Sequence, residues 1–311
     1  MRMRRAVIDE RLSARIVSER PLRYTTPASP GDDRPDHVRA ASGLAVLGDK
    51  LVVIQDDAAF LAIVDGDEVS AIALPAGPGG RRRFEVALGN KLDKLDLEAC
   101  LVDDGELLAF GSGSLPVRER LCCWRPTTGP TIVELPALYA RVREAVGGVL
   151  NIEGAARLGD ELWLFHRGNT GPGDPGPTVI RVGFAELRAH LDSAPVPDVR
   201  GVDRYELGRI EGVALGFTDA TADGDRVIFV AAAEASADAI EDGVVVGSQF
   251  GVVDREGVRC APLVGLDGRP VKVEGVALVP GRRDRAWITV DPDDPEQPSP
   301  LCEVALDGPW W

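Results

Sequence analysis

One heptapeptide recurs along the chain, and its spacing limits the fold more than any other feature. Arg209-Ile210-Glu211-Gly212-Val213-Ala214-Leu215 has near copies in Lys272-Val273-Glu274-Gly275-Val276-Ala277-Leu278, in Asn151-Ile152-Glu153-Gly154-Ala155-Ala156 and in Asp96-Leu97-Glu98-Ala99-Cys100-Leu101. A more divergent copy is Ala40-Ala41-Ser42-Gly43-Leu44-Ala45. With Ser42, Glu98, Glu153, Glu211 and Glu274 taken as anchors, the intervals are 56, 55, 58 and 63 residues. A period in this range is the mark of a repeat architecture.

Each anchor is followed by a polar or Gly/Asp turn and an apolar run such as Lys50-Leu51-Val52-Val53-Ile54 or Glu161-Leu162-Trp163-Leu164-Phe165, which reads as a β-hairpin. A third apolar run follows in every unit, beginning near Phe60, Leu121, Thr178, Phe250 and Leu301, and a fourth in all but the last. Four antiparallel strands repeated around a ring make a propeller blade. The spacing therefore predicts an all-β, five-bladed propeller in one domain over residues 1–311, with blades beginning near 42, 98, 153, 211 and 274. Residues 14–24 supply the fourth strand of the last blade and close the ring, leaving no open edge. Six blades is the alternative, and it needs a further anchor and hairpin. Short helices are expected over 137–145 and 184–192, both between third and fourth strands.

Composition narrows the function. The net charge of −15 opposes binding to a polyanion, so no nucleic-acid partner is expected. The five cysteines show no CxxC spacing and lie in apolar runs, as core thiols do. No stretch approaches the ~18 apolar residues of a membrane span, and the basic start Met1-Arg2-Met3-Arg4-Arg5 lacks the apolar segment of a signal peptide. The expectation is a cytoplasmic protein without a membrane partner; a protein partner is not specified. Motifs for dinucleotide binding, P-loop chemistry, zinc proteolysis and serine hydrolysis have no convincing context.

In a propeller the first strand of each blade lines the central tunnel, so Ser42, Glu98, Glu153, Glu211 and Glu274 would converge. Two unit charges ~5 Å apart cost about 3 kcal/mol at an effective dielectric near 20, and four carboxylates form several such pairs. Three forms of compensation are open. A cation could be held by the ring, Ca²⁺ more readily than the tighter, octahedral Mg²⁺. Arg209 and Lys272, two residues before Glu211 and Glu274 and so on the same strand face, could form ion pairs with no metal at all. The carboxyls could also share protons.

The pattern Ser-Glu-Glu-x-Glu over five inner strands, with Ser42-Gly43-Leu44-Ala45-Val46-Leu47-Gly48-Asp49-Lys50-Leu51 leading to Asp56-Asp57, resembles the soluble calcium-activated nucleotidases (apyrases). Glu153 and Trp163-Leu164-Phe165-His166-Arg167 are similar to the corresponding hairpin of that family, which ends in a pair of arginines. The resemblance implies a five-bladed propeller with a central Ca²⁺ held by Ser and Glu side chains. Glu211 departs from it, because the family tends to have Ser there. The recurrent Glu-Gly anchors also resemble those of phytase-like and esterase-like bacterial propellers, which bears on fold more than on substrate.

The exits of the second strands share a face with the anchors. Among them His166-Arg167-Gly168-Asn169 places a proton carrier, an anion-binding fork and an amide beside a glycine. The enzyme expected from these residues is a calcium-dependent hydrolase of phosphate esters or anhydrides. In it His166 or Asp57 handles protons, and Arg167, Asn169, Asp56, Arg209 and Lys272 bind a small anionic substrate. The other reading is a non-catalytic platform with a structural metal. The Asp-rich stretch Asp291 to Asp294 reads as a solvated turn.

Overall fold

The structure is a computed structural model of the chain, and it describes residues 1–168, 173–235 and 243–311. Two strands lead in, β1 (Arg2–Ile8) and β2 (Ser13–Pro21). The first blade is β3 (Ala41–Leu47), β4 (Lys50–Gln55), β5 (Phe60–Asp65) and β6 (Glu68–Ala73). The second is β7 (Leu97–Asp103), β8 (Glu106–Gly111), β9 (Arg120–Arg125) and β10 (Gly129–Glu134). Helix α1 (Pro136–Val146) precedes the third, which is β11 (Ile152–Leu158), β12 (Glu161–His166), β13 (Thr178–Gly183), helix α2 (Phe184–Leu191) and β14 (Val199–Glu206). A short hairpin, β15 (Arg209–Ile210) and β16 (Val213–Ala214), leads to the fourth blade: β17 (Gly216–Asp223), β18 (Arg226–Ala235), β19 (Val244–Val253) and β20 (Val258–Val264). The last blade has β21 (Val273–Leu278), β22 (Arg285–Val290) and β23 (Pro300–Asp307).

Pairing within each blade is antiparallel between sequential strands, and β2 takes the outer place beside β23. The inner strands β3, β7, β11, β17 and β21 neighbour one another in that order, and β21 returns to β3, which makes the ring a propeller. Middle strands are packed on both faces, which is why β4, β12 and β18 read as nearly continuous apolar runs without alternation. The core divides into five clusters, one for each seam between neighbouring blades. In the seam of blades three and four, Phe217 is contacted edge-on by Phe165, Tyr205 and Phe229 at centroid distances of 5.1–5.3 Å.

Two elements depart from the sequence reading. Helix α1 follows the fourth strand of its blade, where Leu138, Tyr139, Val142 and Val146 cover the seam of blades two and three; α2 does lie between third and fourth strands. Strand β1, whose alternation is masked by Arg2, Arg4 and Arg5, runs parallel to β14 with residues 2–5 and to β20 with residues 6–8. It thus straps two blades together along edges that would otherwise expose unpaired backbone.

Ring closure also uses the far end of the chain. Trp310 is fully buried, packs edge-on to Phe250 at 5.4 Å and directs its indole nitrogen at Ser13 O (3.3 Å). Trp310→Ala should cost about 3–5 kcal/mol, the usual loss for a buried Trp. Urea unfolding followed by circular dichroism measures it, and a loss below 1 kcal/mol would show that the seam closes without Trp310.

Candidate functional site

Every inner strand carries one β-bulge at the same level. The register slips between Ala41 and Gly43, Leu97 and Ala99, Ile152 and Gly154, Phe217 and Asp219, and Val273 and Gly275. A bulge leaves one residue unpaired and re-aims it. The five bulged residues are Ser42, Glu98, Glu153, Thr218 and Glu274.

The fourth anchor is therefore Thr218 and not Glu211. Glu211 and Gly212 form the two-residue turn between β15 and β16, with φ of 50° and 84°, and positive φ at both central residues is what a type I′ hairpin turn demands. Glu-Gly suits that turn as well as it suits a bulge, so the same letters fold two ways. Glu211 is exposed, and Arg209, also exposed, donates to Gly212 O (2.7 Å); neither reaches the tunnel.

The residue after each anchor is small because the inner strands nearly touch. A Cβ on Gly275 would lie 2.3 Å from Thr289 Oγ1 and 3.0 Å from Leu44 Cβ, and one on Gly154 would lie 3.0 Å from Ala220 N. The exception is Asp219, which is wholly buried. Its carboxylate accepts from Ala220 N (2.7 Å), from Val276 N in the fifth blade (2.8 Å) and from Leu44 N in the first. Burial still pushes its pKa well above the carboxylate range.

Above this waist the anchor face is an ion-pair network. Arg167 pairs with Glu153 (3.2 Å), with Glu234 and with Glu274 (3.9 Å), so it joins blades three, four and five. Lys272 reaches Asp293 (2.5 Å), Asp291 (3.6 Å) and Glu274 (3.9 Å). Lys94 pairs with Asp56 and Asp96 (2.7 Å), and Arg118 with Asp96 (2.9 Å). Arg39 bonds Asp57 (2.9 Å) and lies 3.7 Å from Glu85. Asp291 and Asp293 are thus paired groups of this network and not merely a solvated turn.

Glu98 stands apart. Half-buried, it makes no hydrogen bond or close ion pair among the described residues, and one of its oxygens lies within 4.8 Å of oxygens of Asp56 and Asp96. Among the described residues, this triad is where the acidic groups come close enough to share a cation. Ser42 Oγ donates to Leu97 O of the next blade (2.5 Å), and Glu153 and Glu274 are engaged by Arg167. The ring of five ligands expected from the anchors is therefore reduced to Glu98, joined by Asp56 and Asp96 from the loops.

The proposed proton carriers separate. His166 is fully buried, with Nδ1 bonded by Asn151 N (3.0 Å) and Nε2 3.3 Å from Asp174, so it fastens a loop and does not face the site. Asp57 remains at a cavity wall beside Arg39. Asn169 lies outside the described residues. Asn151, whose amide bonds Glu153 (2.6 Å), and Asp96 sit two residues before their anchors, a position shared with Lys272 that could have marked them.

The carboxyls respond to burial. It leaves Asp56 at about 6 against the pull of Lys94, Glu153 at about 7 against Arg167, and Asp291 at about 7 against Lys272. Burial, with Asp56, Glu153 and Asp96 adding repulsion, pushes Glu98 well above the usual range. Burial works the same way on Asp96, but Lys94 and Arg118 hold it at about 2. A carboxyl whose pKa is higher folded than unfolded favours folding fully below the ordinary ~4 and loses that contribution as pH rises through its folded value. The metal-free protein should therefore melt several degrees lower at pH 8 than at pH 5.5. Scanning calorimetry in EDTA checks this, and a melting temperature that rises over the interval would contradict it.

The comparisons with known proteins bear on the fold. The Myxococcus xanthus glutaminyl cyclase is similar in structure, with a TM-score of 0.51 at 12% identity over 99% of this chain and 98% of that one. A mannose phosphorylase of Leishmania mexicana, solved with a phosphate ion, gives 0.50 at 12% identity over 93% and 88%. At such identity the likeness is one of fold. No curated protein matches the chain. A family model described as a family of unknown function matches residues 37–306, so the chain belongs to that family, DUF6929.

Proposed function

We propose that the anchor face binds a hard divalent cation, Ca²⁺ foremost, and that the protein is a cation-dependent platform for a small ligand. Glu98 is the observation that carries this reading. Among the described residues five cations pair with nine carboxylates on the face, and Glu98 is a tenth with none of its own. A surplus of partly desolvated carboxylates is relieved by a cation or by protons, and an all-oxygen set beside an open cavity suits Ca²⁺, which completes six to eight ligands with water. Asp56, Asp96 and Glu98 would hold it, with Thr218 Oγ1, which has no hydrogen-bond partner among the described residues, at the equivalent anchor across the ring.

Calcium calorimetry tests the site. Glu98→Gln should weaken binding at least tenfold, whereas Glu211→Gln, on the exposed hairpin, should leave it unchanged. Equal affinity in wild type and Glu98→Gln would remove the triad from consideration.

Hydrolysis of phosphate esters or anhydrides is a second reading, supported by Asp56, which belongs both to the triad and to the wall of the adjoining cavity. A bound divalent ion polarises a phosphoryl oxygen and makes water a better nucleophile. With Arg167 enclosed by three glutamates and Lys272 by three carboxylates, the ion would supply most of the positive charge, and Asp57 would take the proton. Nucleoside di- and triphosphates, pyrophosphate and phosphomonoesters should then be turned over with Ca²⁺ and not with EDTA, and Glu98→Gln should lower the rate by ~10²-fold or more. Calcium binding without turnover of any of them leaves the platform reading.

A further inference from the structure

The cavity beside the triad points to a class of ligand, on the reading that the triad holds a cation. It has a volume of about 260 Å³, just below the ~300–1,000 Å³ typical of drug-sized ligand sites and so suited to a smaller molecule, and opens on the anchor face between blades one and five. Its polar wall is Asp56, Asp57, Glu85, Asp291, Asp293 and Asp294, with Arg39 and Lys91 beside them. Among the described residues, three cations reach five of these six carboxylates, Arg39 on Asp57 and Glu85, Lys94 on Asp56, and Lys272 on Asp291 and Asp293, and Lys91 adds a fourth positive charge to the wall. Negative charge remains in excess, and a phosphate entering here would meet acids whose guanidinium and ammonium partners are already engaged.

Two further observations fit one occupant. Asp57 Oδ1, a buried acceptor on this wall, has no hydrogen-bond partner among the described residues, and a buried orphan of this kind costs about 1–3 kcal/mol until a donor satisfies it. The rest of the wall is apolar, formed by Phe84, Val86, Ala87 and Pro295, and Val86 is 76% exposed at the lip. We infer that this cavity takes a short aliphatic chain ending in an ammonium or guanidinium group, the methylenes against Phe84 and Val86 and the charged end among Asp57, Glu85 and Asp293. Such a group is carried by a free diamine or by a basic side chain of a peptide.

Calorimetry on the full chain, in saturating CaCl₂ and in EDTA, separates the possibilities. Agmatine and putrescine should bind with a Kd on the order of 1 mM or tighter, and 1,4-butanediol and inorganic phosphate at least tenfold more weakly. Glu85→Gln, and Ala87→Trp as a variant on an exposed loop that fills the cavity without touching its charge, should each lower agmatine affinity at least tenfold and leave calcium binding intact. Nα-acetyl-arginine amide binding as well as agmatine would assign the group to a peptide, and weaker binding to a free amine. The inference is overturned if butanediol binds as well as putrescine, if neither variant affects agmatine, or if saturating Ca²⁺ abolishes agmatine binding, because the amine would then be a surrogate ion on the triad. Agmatine bound in the absence of any calcium affinity would overturn the cation reading and uphold this one.

Discussion

Five inner strands crowd around one axis, and the other features of the site follow from that crowding. Where the strands come closest only a small residue fits, hence Gly43, Ala99, Gly154 and Gly275. The bulge at the same level turns the preceding side chain out of the strand, and in three blades that side chain is a glutamate. Inner strands are also blade edges, so their backbone donors lack strand partners. Asp219 answers this in the one place where the waist admits a larger group, by accepting from amides of three blades. A carboxylate so placed is costly to bury and costly to remove, since its loss would orphan several buried donors at once.

The ion pairs above the waist have a second consequence. Arg39, Lys94, Lys272 and above all Arg167 each join carboxylates from separate loops or blades, so the network fixes the loops relative to one another. Replacing buried pairs of this kind with apolar groups is often neutral for stability, whereas removing one partner is not. The network is better understood as a positioning device, which a face built from five separate loops needs if any small ligand is to meet a fixed set of charges.

Much of this was legible in the sequence, and the failures have physical causes. The period of the anchors is enough to derive the propeller, because a blade cannot vary much in length without breaking the ring. Four of the five anchors are found from the letters alone. The fourth is misplaced because Glu-Gly satisfies a type I′ turn and a bulge equally, and only the pairing of Phe217 and Asp219 with β18 separates them. His166 is misread for a related reason: a polar residue at a strand exit faces solvent in most loops, but here the backbone of Asn151 and the carboxylate of Asp174 enclose it. The triad of Asp56, Asp96 and Glu98 has no linear signature, since its members come from a loop, a linker end and a strand of two blades.

The waist also decides where chemistry can occur. Beyond it the tunnel widens into a cavity of about 530 Å³, lined largely by apolar residues such as Leu44, Cys100, Ala155 and Leu278 from the ends of the inner strands. Arg157 is its charged residue, and Asp103 neutralises it from the neighbouring strand β7. Asp219 and the close-packed glycines lie between the two ends, and no carboxylate lines the far cavity among the described residues. The acidic end of the tunnel and the end lined by apolar residues are therefore different environments made from the same five strands, divided by the level at which Gly43, Ala99, Gly154 and Gly275 leave room for one larger side chain, that of Asp219.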